Sequence, residues 1–350
     1  MTIRVEIFGA EEEWDEKTGS EQEWDTFAAS QNGFTHFHRL RWRTVIEKVF
    51  GHECIYLAAR DNDGSLVGIL PLVHVRSVIF GRYLVSMPFL NYGGPLGSES
   101  GIRALVSEAV ALAKHHRVKL LELRSSVPID TMLEASHRKI TVVLDLPSTA
   151  AQLFKQFDAK LRNQIRRPQK EGITVRFGRE HLESFFSVFS RNMRDLGTPT
   201  QSLAFFREIA NQFPEDFWIG CAYSEGTPIA AGCGFRFSNQ FEMTWASSLR
   251  EYNRIAPNML VYWAFMERAI ADGAAVFNFG RCSPGAGTHR FKMQWGGSEL
   301  PLWWYGYAAS DGATTPSPKD ARFSWGPRIW RRLPAPIATR LGPSIVRYLP

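Results

Sequence analysis

The stretch Phe277–Gly297, FNFGRCSPGAGTHRFKMQWGG, is the densest in residues able to handle charge. An apolar strand-like run, Ala275–Phe279, leads into a loop with Gly280, Gly285 and Gly287 and with Arg281, Arg290 and Lys292. Glycines let backbone N–H groups approach an anion closely, and the cations add opposite charge. The loop is not a P-loop, because no Gly-Lys-Ser/Thr opens a helix. The competing reading is a solvated turn with surface arginines. When an amine attacks an ester or thioester, negative charge collects on the carbonyl oxygen, and a fixed ammonium such as that of Lys292 stabilises it. Cys282 lies in the same loop, with His289 seven residues on, so a Cys–His covalent pair is a further option.

A second charged element precedes this loop by about a hundred residues. In Ser148–Gly172, Leu153, Phe154, Phe157, Leu161 and Ile165 form an apolar helical face. The other face carries Lys155, Lys160, Arg162, Arg166, Arg167 and Lys170. That face either grips a phosphate-rich donor or is simply solvated. Pro168 is expected to end or kink the helix. His36, His38 and His52 lack metal-ligand spacing and read as packing or surface residues, so no metal is expected.

Two similar runs of elements must position these residues. In the first, Ile55–Arg60 and Leu66–Val75 read as a hairpin around Asp61–Ser65. A strand at Leu84–Leu90 follows, then the loop Asn91–Pro95, an amphipathic helix at Ile102–His116 and a strand at Val118–Leu123 ending at Arg124. In the second, Trp218–Tyr223 and Pro228–Phe237 flank the turn Ser224–Thr227. Phe241–Ser247, a helix over Asn258–Asp272 and the strand Ala275–Phe279 follow, with Arg281 just beyond. Arg124 and Arg281 occupy matching places, so the order β-β-β-α-β is duplicated; so long a period suits tandem domains. Helices are expected at Leu182–Leu196 and Leu203–Phe213 as well.

The 350 residues, 44% hydrophobic and 22% charged, suit about two soluble domains. The four cysteines form no CxxC pair and read as buried reduced thiols. The N-terminus turns acidic where a signal peptide would have its apolar core, and no apolar run is long enough to span a bilayer, so a cytoplasmic location is expected. The net charge of +6 is local: Ala321–Pro350 holds six arginines and no Asp or Glu. The first 320 residues are balanced at 35 basic against 35 acidic, which does not fit a duplex-DNA binder. In that tail Ile329, Trp330, Leu333, Ile337, Leu341, Ile345 and Leu349 recur mostly at spacing four, with Pro334, Pro336 and Pro343 interrupting. The tail is expected to lie in short segments on the inner face of the cytoplasmic membrane, the alternative being packing on its own domain.

The stretches Asn91-Tyr92-Gly93-Gly94-Pro95, Arg194-Asp195-Leu196-Gly197-Thr198-Pro199, Phe279-Gly280-Arg281 and Phe291-Lys292-x-x-Trp295-Gly296 resemble the FemAB family, and within it the branch associated with exosortase/PEP-CTERM systems. The resemblance runs from about Phe34 to Tyr307, with the tail in addition. It implies an α/β fold with mixed sheets, built as tandem duplicated GNAT-like acyltransferase domains. The expected organisation is 1–147, a basic linking helix 148–172, a second domain 173–311 with the catalytic loop, and a linker and tail 312–350.

The resemblance further implies acyl or aminoacyl transfer to an amine on an envelope or exopolysaccharide precursor. It makes Lys292 the oxyanion stabiliser, with the backbone carbonyl of the preceding Phe291 receiving the acceptor amine. Arg281, Arg290, Gly285, Gly287, Lys160 and Arg162 are then candidates for the donor's anion, and Asn91, Tyr92, Trp245, Tyr252 and Asn253 for the substrate cleft. No tightly bound cofactor is implied. Acetyltransferases hold the CoA pyrophosphate on a glycine-rich turn, but the corresponding link, Arg250–Pro257, has no glycine. The donor is thus expected to be aminoacyl-tRNA, or acyl-CoA or an acyl carrier held differently. The rival function is a non-catalytic assembly protein of an exopolysaccharide or protein-sorting system that keeps the fold.

Overall fold

The computed structural model describes residues 2–8, 20–77, 80–308 and 326–349. The linker expected around Gly312–Lys319 and the first tail residues, 321–325, lie outside the described residues.

In chain order the first elements are β1 (Arg4–Ile7), α1 (Ser20–Ser30), α2 (Trp42–Phe50), β2 (Glu53–Arg60), β3 (Leu66–Ser77), β4 (Gly81–Val85), β5 (Leu96–Gly97), α3 (Glu99–His115), β6 (Leu120–Ser125) and β7 (Glu134–Ser136). Then come β8 (Ile140–Asp145), α4 (Ala150–Gln156), α5 (Ala159–Lys170), β9 (Thr174–Phe177), α6 (Leu182–Leu196), α7 (Leu203–Gln212), β10 (Phe217–Ser224), β11 (Thr227–Phe237) and β12 (Gln240–Ser248). The chain continues through α8 (Pro257–Ala271), β13 (Val276–Cys282), α9 (Gly287–Met293), β14 (Ser298–Pro301), β15 (Trp303–Ala308), α10 (Gly326–Trp330) and α11 (Ala335–Val346).

Local chemistry explains the boundaries. The turn before β11 has Glu225 and Gly226 both at positive φ, the two-residue turn whose twist matches paired strands. At the earlier hairpin the Asp61 carboxylate accepts from the N–H groups of Asp63 and Ser65. The basic segment forms two helices, because Phe157 turns extended and Asp158 caps a new start by accepting from Leu161 N–H at 2.6 Å. Thr149 caps the first of them by accepting from Gln152 N–H. Pro168 lies inside α5, which ends two residues later; the missing proline N–H costs only one bond at a terminus.

The chain divides into two units. The first takes the chain up to Lys139, the strand β15 and the last residues from Arg347 on; the second takes Ile140–Leu300 with α10 and α11. The borders therefore differ from 147 and 311: β8 joins the second sheet and β15 returns to the first. The first sheet has the order β1-β2-β3-β4-β6-β15-β7, with β5 on β3. The second, read the same way, is β9-β10-β11-β12-β13-β8-β14. The two orders correspond strand for strand, each with one parallel pair, β4 with β6 and β12 with β13. In each unit a long helix, α3 or α8, connects the parallel pair and packs on the sheet over an apolar core.

Arg124 and Arg281 hold equivalent pairing positions. Glu122 and Arg124 face Gly306 and Trp304, and Asn278 and Arg281 face Val143 and Thr141. The second strand has one residue more, and a bulge takes it up. In the first unit the place is closed by charge: Arg124, 2% exposed, pairs with Glu122 at 2.8 Å, Arg138 takes the other oxygen at 2.5 Å, and both guanidiniums lie over the Trp304 ring. Arg124→Met should lower stability by about 3–5 kcal/mol, since it leaves a buried carboxylate with one partner. Adding Glu122→Met should recover part of the loss. Denaturant unfolding of both variants checks this, and a single variant as stable as the wild type would refute it.

Candidate active site

The second unit's sheet opens at one point. β12 and β13 run side by side only at Gln240–Glu242 and Val276–Asn278. Beyond that, β12 continues along β11 to Ser248 while β13 continues along β8 to Cys282. The two strands splay, and backbone groups that would have paired face a gap.

A bulge re-aims the β13 side of that gap. Gly280 has φ +70, a left-handed conformation that glycine adopts without strain. The Asn278 side chain holds it: its Oδ1 accepts from Gly280 N–H at 2.8 Å and from the Thr141 hydroxyl at 2.6 Å. The carbonyls of Gly280 and Arg281 then both accept from Lys292 Nζ, at 2.5 and 3.0 Å. Lys292 reaches them from α9, the short helix after the glycine loop, and is 6% exposed. Burial pulls its pKa down to about 8; Cys282 and Glu242 oppose the shift and Arg281 adds to it. An ammonium has three N–H bonds, so two carbonyls leave one for another acceptor.

Lys292 lines a cavity of about 520 Å³. The wall comes from the diverging strand (Ala246, Ser247, Ser248), from α8 (Asn258, Val261, Tyr262), from α6 (Asn192, Leu196) and from the start of α9 (Gly287, Thr288). Phe291 completes one side, its ring edge-on to Tyr262 at 4.9 Å. The Asn192 amide donates to Ser247 Oγ at 3.1 Å, which orients two polar groups across the opening. The lining is mixed: Leu196, Ala231, Val261 and Phe291 supply apolar surface beside a comparable set of amide and hydroxyl side chains and one cation, which gives a small ligand both contact area and orientation.

Of the residues singled out from sequence, Lys292, Phe291, Gly287 and Asn253 come together here. Arg281 contributes its carbonyl and its field. Exposed Arg290 bonds back to Gly285 O at 2.8 Å, which makes both parts of the turn. Trp245 packs among Phe205, Phe206 and Phe235, and Tyr252 packs partly buried against the second unit's core. Lys160 is exposed and Arg162 reaches the Lys155 carbonyl; neither lines the cavity. Asn91 and Tyr92 belong to the first unit and are buried there, Tyr92 against Phe37 at 5.7 Å. In that segment Gly93 N–H donates to the Arg124 carbonyl and Gly94 O pairs with His38 Nε2, a packing role for the motif. Both ring nitrogens of His289 are engaged, by Gly285 N–H and by Glu299, so it does not serve Cys282.

Asn192, Asn258, Ser247, Ser248 and Thr288 escaped the sequence reading. The available signal was asparagine on helix faces otherwise apolar toward the sheet. At the start of α8 the link Arg250–Ile255 forms a 3-10 turn, Ala256 takes φ +54, and Pro257 opens the helix without an N–H. Among the described residues no group of three or more His, Cys, Asp and Glu is arranged to hold a metal ion.

Residues 155–293 match the acetyltransferase (GNAT) domain family. The match runs from the basic helices to the residue after Lys292. The comparison with curated protein sequences gave no match. Among solved structures, FemX is similar at 15% identity and a TM-score of 0.62, over 81% of this chain and 95% of that one. The C-terminal domain of a putative lysylphosphatidylglycerol synthetase from Agrobacterium fabrum is similar at 12% and 0.54, over 81% and 90%. A tandem GNAT protein from the clavulanic acid biosynthesis pathway is similar at 12% and 0.53, over 89% and 100%. The chain thus has a tandem GNAT-like fold with mixed sheets, and its second unit carries an acyltransferase-type domain. The FemAB-like resemblance fits these findings in broad terms.

Gly280→Ala tests the bulge. It should cost about 1–2 kcal/mol, because a Cβ resists the left-handed conformation. It should also raise the Lys292 pKa, because water readmitted beside the ammonium relieves the burial that lowers it. Thermal unfolding and lysine-selective NMR titration measure the two effects; a stability equal to wild type would deny the bulge its role.

Proposed function

We propose that this chain transfers an acyl or aminoacyl group from an activated ester or thioester to an amine, with Lys292 stabilising the oxyanion. The observation that carries this reading is the seat of Lys292. Its ammonium is held by two strand carbonyls and faces a cavity opened by the splay of β12 and β13. The amine nitrogen attacks the donor carbonyl carbon. As the C–N bond forms, negative charge moves to the carbonyl oxygen, and the third N–H of the buried Lys292 ammonium receives it. Collapse of the adduct breaks the bond to the alkoxide or thiolate, and the proton leaving the amine neutralises that group. The carbonyls stay in place throughout, so the ammonium needs no reorganisation. Asn192, Asn258 and Ser247 are the groups we assign to orienting the acceptor.

For the donor we favour an aminoacyl ester or carrier thioester over CoA bound by a pyrophosphate loop. The start of α8 has no glycine loop and begins with a proline, so it offers fewer N–H donors to a diphosphate. The acceptor we place among amine-bearing envelope precursors at the inner membrane, in keeping with the exosortase-associated resemblance.

Lys292→Met should cut turnover roughly 100-fold or more while the protein stays folded. In the wild type the rate should fall as pH rises through about 8, since deprotonation of Lys292 removes the ammonium that faces the oxyanion. Lys292→Arg, which keeps its charge, should move that fall to higher pH. Assays of the purified protein with aminoacyl-tRNA and with acyl-CoA, each with an amine acceptor, supply the rates. A Lys292→Met enzyme as fast as wild type would remove the residue from the mechanism, and no transfer from any activated donor would favour an assembly role.

A further inference from the structure

The C-terminal helices bury the wrong residues for a simple structural strap. α11 packs on α6 and buries Ala338 and Gly342, one turn apart, with Gly342 against the backbone of Thr200. Its large apolar residues, Ile337 and Leu341, are also one turn apart but each 47% exposed. A helix docked by its small residues approaches closely and leaves its greasy face to whatever lies outside. In α10 Trp330 is buried, whereas Ile329 is 53% exposed.

The outward apolar surface continues onto the end of α6. Gly197 ends that helix in a left-handed turn, with Thr198 N–H returning to the Met193 carbonyl. Pro327 presses against Gly197, and Arg331 donates to the Leu196 carbonyl at 3.3 Å. Leu196 is itself 49% exposed and lines the Lys292 cavity. Among the described residues only seven large apolar side chains stand exposed, and four of them are Leu196, Ile329, Ile337 and Leu341. Arg328 on α10, Arg331 and Arg332 in the turn after it and Arg340 on α11 are exposed, with no Asp or Glu anywhere from 321 to 350.

We infer that α10, α11 and the end of α6 form a docking platform for an anionic bilayer surface, with the rim of the Lys292 cavity at that surface. Arginines meet the acidic headgroups while Ile329, Ile337 and Leu341 enter the layer beneath, as interfacial helices do. A second copy of this chain fits poorly, since it would set four arginines against four. The surface stands without the acyl-transfer reading; only its consequence, an acceptor met at the lipid interface, rests on that reading.

Vesicle binding tests the platform without any donor or turnover. The full-length protein should co-sediment with mixed phosphatidylglycerol–phosphatidylcholine vesicles at least about tenfold better than with phosphatidylcholine alone. The double variant Ile337→Ser with Leu341→Ser, both at exposed positions, should lose about tenfold in that binding with an unchanged circular dichroism spectrum. Arg328→Gln with Arg332→Gln should lose about tenfold and about halve the salt dependence, since two of the four exposed arginines remain. An NBD label on Leu196→Cys, the four native cysteines being buried, should shift to the blue on the anionic vesicles. No sedimentation with anionic vesicles, or serine variants that bind as wild type, would overturn the platform. An unshifted label on bound protein would overturn the placement of the rim. A lipid-free dimer lost in the serine variants would assign the surface to a second copy instead.

Discussion

A lysine ammonium hung on two strand carbonyls is the constraint around which the second unit is arranged. Carbonyls in a continuous sheet are spent on neighbouring strands, so those of Gly280 and Arg281 are available only because β12 and β13 part company after Glu242 and Asn278. The bulge at Gly280, tied by Asn278 and Thr141, turns both carbonyls toward Lys292. Burial then makes the charge expensive and lowers the lysine's pKa, while the carbonyl dipoles keep it in one place. Strand divergence, bulge, buried cation and cavity form one dependent series.

The first unit shows what the same framework does without that opening. Its strand order is the same and its crossover helix lies in the same place, yet Arg124 at the equivalent position is buried in an ion pair under Trp304. The partner carboxylate comes from Glu122, the position that Asn278 takes in the second unit. With a charge pair in place of an amide the strand needs no bulge, and the site is filled by its own side chains. Duplication has left one copy as a closed structural knot and the other as an open pocket.

Because β15 returns to the first sheet before the chain reaches α10 and α11, neither unit is a continuous piece of chain. Trp304 brings the returning strand onto the Arg124–Arg138 pair. At the other end of the chain the arginine-rich helices are anchored on α6, whose last carbonyl they cover and whose side chains line the cavity. α10 and α11 are therefore packed on the second unit and still present Ile337 and Leu341 outward.

Much of this was legible in the residues alone. Hairpins with Asp-x-x-Gly and Glu-Gly turns, two amphipathic crossover helices and the matching arginines identified a duplicated α/β unit, because turn chemistry and apolar period are local. Lys292 stood out by its place after a glycine loop, and Phe291 by the family resemblance. What sequence order left undecided was everything that depends on which strands adjoin. It placed β8 and β15 with their sequence neighbours, put Trp245 and Tyr252 in the cleft, and passed over Asn192 and Ser247, which are 55 positions apart and hydrogen-bonded. A side chain's periodicity reveals that it faces a core or solvent. Whether that face meets a filled sheet or the gap between two splayed strands is settled only when non-local strands pair, and here that pairing made the site.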